Sequence, residues 1–290
     1  MEPATVRNPR LARILAAGML LALALPGLAF EVELRLSGGP GIMRVKDIGS
    51  MLNDWREFRK KEAVANLWAL EDEKMSSVRN GISFEAELLV FITPQLAAGV
   101  ASGYLYDDVT ETNNFLTVRK PDETSINGRP AKANGVPLAL SAYYLLPVGR
   151  RLAIYGRAGA GWLWGNYADL ETFQKPTDER YVYPTSITAS GRGTILLSGL
   201  GLSYRSSESL SFFLEVSSRQ GVVKNLEGVT KEGLEGPLYY FEEYLPAYDL
   251  WQAKIEVRPQ EPSGDGVRDV RKARLDLGGL SARLGLAIRF

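Results

Sequence analysis

Glu85 and Glu87 stand two residues apart in a segment that alternates between apolar and polar residues, so both carboxylates fall on one face of an extended chain. A carboxylate pair on one face can divide acid and base roles if its surroundings drive the two pKa values apart. Arg157, Glu215 and Arg283 lie in three other alternating segments, on the faces that carry small or charged residues. Carboxylates and guanidiniums converging in this way either catalyse or neutralise one another. The second outcome is the ordinary one where charges share a narrow space. The composition then removes most other chemistry. There is no histidine and no cysteine, which excludes a Ser-His-Asp arrangement, a histidine-ligated metal, thiolate metal sites, disulfides and thiol-linked lipid. With 34 basic and 34 acidic residues, the chain carries no electrostatic footprint for nucleic acid. The glycine run Gly156-Arg157-Ala158-Gly159-Ala160-Gly161 has the spacing of a phosphate loop but lies within a strand pattern and opens no helix.

The elements that must position these charges are strands. Ile82, Phe84, Ala86, Leu88, Val90 and Ile92 alternate with Ser83, Glu85, Glu87, Leu89, Phe91 and Thr93. Comparable ribbons are expected over 32–45, 96–106, 136–146, 152–164, 193–204, 210–219 and 274–290, giving eight strands in all. Their connections alternate in length along the chain. Tight turns at 93–95, 147–150 and 205–208 separate long segments at 46–80, 108–135, 166–192 and 220–273. Loops longer than about 12–15 residues are uncommon in soluble domains. Four of them alternating with tight turns match a barrel with short turns on one side of a membrane and long loops on the other.

The N-terminal stretch leads to the same compartment. Arg7, Arg10 and Arg13 precede an apolar run at 14–25, which breaks at Pro26 before Gly27-Leu28-Ala29. That run falls short of the about 20 residues needed to span a bilayer. The pattern is that of a signal peptide over 1–29, with the exported chain covering 30–290 and slightly acidic. Lipid offers no hydrogen-bond partner to a backbone amide, so a sheet in a bilayer must close on itself. The expected fold is therefore all-β, a single closed antiparallel transmembrane barrel of eight strands, with short periplasmic turns and long extracellular loops. Two girdles of aromatics fit it: Tyr104, Tyr106, Trp162 and Trp164 on the loop side, and Tyr144, Tyr204 and Phe290 on the turn side.

In the last strand Phe290, Ile288, Leu286, Leu284 and Ala282 share the outward face, opposite Arg289, Ala287, Gly285 and Arg283. The ending formed by Arg283, Gly285, Ile288 and Phe290 resembles the C-terminal signal read by the bacterial barrel-assembly machinery, with Ile288 standing where an aromatic is commoner. In architecture the chain resembles the eight-stranded outer-membrane barrels of the OmpA, OmpX and OmpW type. The resemblance implies the outer membrane as location, with lipid, lipopolysaccharide and the assembly machinery as partners. It covers adhesive, membrane-stabilising and solute-transporting members without choosing among them. Barrels of this size also include lipid-modifying enzymes that imply a histidine base, which this chain lacks. The expectation is thus a non-enzymatic barrel without a cofactor, structural or surface-interacting, with a narrow solute channel as the alternative.

Pleat parity places Glu85, Glu87, Glu215, Arg157 and Arg283 in the lumen, joined by Glu33 and Arg35, as an ion-pair network that either plugs or gates the barrel. Recognition falls to the long loops. Residues 51–73 read as helical, with Asp54 and Glu57 in capping-box positions. Met51, Trp55 and Phe58 lie on a different side of that helix from Val64, Leu67 and Trp68. The aromatic cluster of Tyr239, Tyr240, Phe241, Tyr244, Tyr248 and Trp251 reads as a hairpin beyond the membrane, or else as a ninth and tenth barrel strand. Trp55, Trp68, Tyr239, Tyr240, Phe241 and Trp251 are the candidate contacts for an extracellular ligand or protein.

Overall fold

Alternation in the sequence becomes alternation in exposure: along β7, inward residues are buried and outward residues exposed almost without a break. The computed structural model describes residues 31–75, 80–109, 114–121, 124–174, 181–183 and 186–290. The 1–29 segment read as a signal peptide lies outside them. In chain order the elements are β1 (Val32–Met43), α1 (Lys46–Ala65), β2 (Ala69–Met75), β3 (Asn80–Phe91), β4 (Leu96–Val109), β5 (Asn114–Arg119), β6 (Thr124–Gly128), β7 (Ala131–Pro147), β8 (Leu152–Asp169) and β9 (Thr172–Gln174). They continue with β10 (Tyr181–Val182), β11 (Ile187–Arg205), β12 (Leu210–Thr230), β13 (Glu235–Leu245), β14 (Leu250–Val257), β15 (Val267–Lys272), β16 (Leu275–Asp276) and β17 (Gly279–Arg289).

Eight of these strands form a closed antiparallel ring in the order β1, β3, β4, β7, β8, β11, β12, β17 and back to β1. The closing seam pairs Glu33 with Arg289 and Leu36 with Leu286, and the Phe290 amide donates to the Val32 carbonyl at 2.8 Å. The ring therefore has no free edge, which is the condition for placing backbone amides in lipid. The short connections are built as their sequences require. Thr93 Oγ1 accepts the Gln95 and Leu96 amides at 3.3 and 3.0 Å, and Gly149 supplies a φ of +94° that a side chain would oppose.

The expected strands are present, and several run well past the expected limits on the loop side: β7 begins at Ala131, β11 at Ile187, and β12 continues to Thr230. The ten-strand alternative is overturned. β13 and β14 form a hairpin that pairs with β15 and with the far end of β12, outside the ring. Their aromatics and β-branched residues pair across strands and pack on the barrel mouth, so they leave no outward face for lipid.

The long connections build a folded cap. β2, β5, β6, β9 and β10, drawn from three different connections, form a second antiparallel sheet. α1 starts at Lys46 and ends at Ala65, which corrects the expected 51–73 helix: residues 69–73 belong to β2 instead. Asp54 does not cap the helix; its Oδ2 accepts the Ala253 amide of β14 at 3.0 Å. The acid near the helix start is Asp47, favourably placed against the helix dipole and bonded to Arg271 at 2.8 Å. Ile48, Met51, Leu52 and Trp55 are buried on one side and Ala63 packs on Leu116 and Val118, whereas Val64 and Leu67 are exposed. One helix held mainly along a single face explains the two hydrophobic directions.

Candidate lumen site

Strand pleat sends Glu85 and Glu87 inward and Phe84 outward, where its side chain is 57% exposed. The same parity turns Leu200, Leu284 and Trp162 outward, with exposures of 70%, 70% and 58%. Between the Tyr144, Tyr204 and Phe290 level and the Trp162 and Trp164 level, β8 advances about ten residues. At about 3.3 Å per residue and a tilt near 40°, that rise is roughly 25 Å, the height of an outer-membrane apolar band. Above it the outward residues turn polar, as at Lys132, Asn166, Arg192 and Lys224. Oily residues thus face outward and ionised ones inward, the reverse of a soluble barrel.

The lumen is filled in three layers. Nearest the turns, Leu89, Phe91, Tyr143, Leu145, Tyr155 and Phe213 form a cluster. The Arg35 guanidinium sits 4.8 Å from the ring centres of both Tyr143 and Tyr155 and 5.3 Å from that of Phe213. Glu33 bonds Arg35 at 2.7 Å and Arg289 at 3.0 Å. Glycines make room for the rings. A β-carbon on Gly201 would stand 2.3 Å from the Tyr155 ring, and one on Gly285 would stand 2.3 Å from that of Phe213.

The middle layer brings the five expected charges together. Arg157 bonds Glu85 at 2.6 Å, lies 3.5 Å from Glu87 and 3.6 Å from Glu215, and donates to Ser141 Oγ at 3.2 Å. Arg283 bonds Glu85 at 2.9 Å and also pairs with Glu215. The Tyr143 hydroxyl donates to Glu87, and the Tyr155 hydroxyl to Glu215 at 3.1 Å. Glu85 and Glu215 are thus each shared between the two arginines, while Glu87 is held through one oxygen by Tyr143 and its other oxygen has no hydrogen-bond partner. Sequence reasoning does not single out Tyr143, Tyr155 and Arg219. They share inward parity with Leu145, Arg157 and Glu215 on their own strands, and that parity is the signal available.

The third layer is apolar and continuous with the cap. Leu105, Leu163, Ile195 and Val223 from the barrel wall pack in one core with Met51 and Leu52 of α1, Leu238 and Tyr240 of β13, and Leu275 and Leu277 near β16. The candidate recognition aromatics are corrected here. Trp55, Tyr239, Tyr240 and Phe241 are buried in the cap, held there by hydrophobic packing, and present no surface to a partner. Trp68 is half-buried beside Lys120, whose ammonium lies 4.7 Å from its ring centre, and half-buried Trp251 carries the Arg268 guanidinium at 3.9 Å.

The cap has its own polar anchor. Glu171 Oε1 accepts from Trp55 Nε1 at 2.9 Å and from Arg59 Nη2 at 2.8 Å, and nearby Arg129 bonds Asp169 at 2.7 Å. Burial pushes the Glu171 carboxyl up, but Arg129 and Arg59 outweigh burial and hold it below the ordinary glutamate range. Burial lifts Asp54 above the ordinary aspartate range against the pull of the Ala253 amide. Among the described residues, no group of three or more metal-ligating side chains could hold a metal.

A sealed ring of eight strands with an apolar band outside and paired ions inside defines a transmembrane β-barrel of the bacterial outer-membrane class. No protein-family model matches the chain, and no curated protein sequence matches it. Among solved structures it is similar to a major outer membrane protein from Thermus thermophilus, at 11% identity and a TM-score of 0.43, over 91% of this chain and 100% of that one. It is also similar to the outer membrane protein OprG from Pseudomonas aeruginosa, at 11% identity and a TM-score of 0.40, over 89% and 95%. A third is Ail, the attachment invasion locus protein of Yersinia pestis, at 10% identity and a TM-score of 0.35, over 91% and 100%. At such values these likenesses carry no argument about activity.

Proposed function

We propose that this protein is a non-enzymatic, non-conducting outer-membrane barrel whose work is structural and is done at its extracellular cap. The observation that carries this reading is the filled lumen: an aromatic layer, a layer of bonded charges and an apolar plug follow one another from turn side to loop side. An eight-stranded interior is just wide enough for side chains to fill. In this reading the chain is exported by a cleavable signal peptide over 1–29. The assembly machinery reads the last strand through Arg283, Gly285, Ile288 and Phe290. Lipopolysaccharide phosphates meet Lys132, Arg192 and Lys224 just above the aromatic rim. The partner-facing surface is the outer side of the β13–β14–β15 hairpin, where Trp251, Arg268 and Glu242 form a connected group. Purified protein in planar bilayers tests the reading. Silence is expected of the wild type, and reproducible ion conductance that changes on Arg157→Ala would replace the plug with a channel.

A further inference from the structure

The lumen arginines are not equally served. Arg35 and Arg289 share Glu33, while Arg157 and Arg283 engage Glu85, Glu87 and Glu215. Arg219 is 7% exposed and has no carboxylate partner among the described residues. Its Nε donates to the Leu277 carbonyl at 3.0 Å, and its Nη2 is buried without an acceptor. Arg283 Nε is likewise buried without an acceptor. Both arginines border one small cavity of about 20 Å³, at the junction between the charged layer and the apolar plug. Arg157, Ser83 and Ser217 also line it, and Glu85 is the one carboxylate on its wall. Glu85 is already bonded to Arg157 and Arg283. The Ser217 hydroxyl lies 2.8 Å from that of Ser281, and either can donate, so Ser217 is able to turn its proton toward the cavity.

We propose that this cavity holds a single halide-sized anion, chloride in the cell, bound between Arg219 and Arg283. The volume admits one particle about the size of a water. A water would satisfy the Arg219 N–H but bring no charge between two guanidiniums whose Nη2 and Nε lack acceptors, whereas an anion does both. Nothing larger than a monatomic ion fits, so the site is structural: it supplies the acceptor that Arg219 Nη2 and Arg283 Nε lack.

The test is to refold the full protein from urea into detergent in chloride, bromide or gluconate at equal ionic strength, because a buried ion exchanges slowly. The wild type is expected to unfold about 3 °C or more higher in either halide than in gluconate, which is too large for the cavity. Bromide-grown crystals are expected to show one anomalous peak within hydrogen-bond distance of Arg219 and Arg283. In Arg219→Met the peak is lost and the midpoint no longer depends on the anion, while in gluconate the variant is at least as stable as the wild type. A merely structural arginine would instead make the variant weaker in every salt. If the variant does not fold, the wild-type anion dependence and the bromide peak decide alone. Equal wild-type midpoints with no peak, or a peak that persists in Arg219→Met as an adventitious ion only, overturns the proposal.

Discussion

Trp55 Nε1 donates to Glu171 Oε1 at 2.9 Å, tying the helix of the first long connection to the third across 116 residues of sequence. Glu171 also receives Arg59, so one carboxylate gathers two donors from α1. Trp55→Phe keeps most of the buried ring and removes the bond. It is expected to weaken cap docking by about 1.5–3 kcal/mol, and Trp55→Ala by about 3–5 kcal/mol. Hydrogen exchange checks this: faster exchange in α1, with ring-strand protection unchanged, is the expected result. Unchanged α1 protection would mean that the cap stands without the latch.

The same carboxylate sets a pH dependence. Its folded value lies below the ordinary glutamate value of 4.5. Its contribution is therefore fully present above 4.5 and is lost as pH falls through the lower folded value. Asp54, raised on folding, acts in the opposite sense: its contribution is greatest in acid and declines as pH rises through its folded value. Protection factors in α1, with the intrinsic exchange rate at each pH divided out, are expected to fall at the acid end between pH 6 and pH 3 in the wild type. In Glu171→Gln that acid step disappears.

Arg157 is the hub of the charged layer, and removing it strands carboxylates in the lumen. Arg157→Met is expected to cost about 3–5 kcal/mol, because Glu85 and Glu87 remain buried without their shared partner. Combining it with Glu85→Gln is expected to recover part of that loss. The midpoint of heat-modified migration on gels measures both. If Arg157→Met were neutral, water would have to be solvating those carboxylates, and the lumen would not be packed.

On the outer wall, Leu200 is 70% exposed within the apolar band. Leu200→Arg is expected to destabilise the inserted barrel by about 2–4 kcal/mol if it lies near the bilayer midplane. Lys224→Glu, above the aromatic rim, is expected to leave insertion almost unchanged. Folding into lipid vesicles, titrated with denaturant, separates the two. Equal effects would mean that the band does not face lipid.

The barrel was legible because its strands obey a strict period of two. Glu85, Arg157, Glu215 and Arg283 could be placed inside by counting alternate residues, and the structure joins them by direct bonds. The cap was not legible, for two physical reasons. β2 reads Ala-Leu-Glu-Asp-Glu-Lys-Met, with no alternation, and is a strand because β5, from another connection, offers its edge. Tyr239, Tyr240 and Phe241 are consecutive and all buried, because β13 is covered on both faces over this stretch alone, and a run of aromatics carries no signal for which side is covered.

β12 runs from Leu210 to Thr230, 21 residues whose lower half faces lipid, whose upper half stays paired with β11 across a bulge at Asn225, and whose end, Glu227 to Val229, pairs with β13. At about 3.3 Å per residue it is roughly 70 Å long, far more than a tilted strand needs to traverse hydrocarbon. The wall of the cylinder is therefore also a stiff pedestal. Whatever touches the crown of this molecule meets it at a set height and angle above the leaflet, and a push on that crown is transmitted down a hydrogen-bonded rod instead of being absorbed by slack loops.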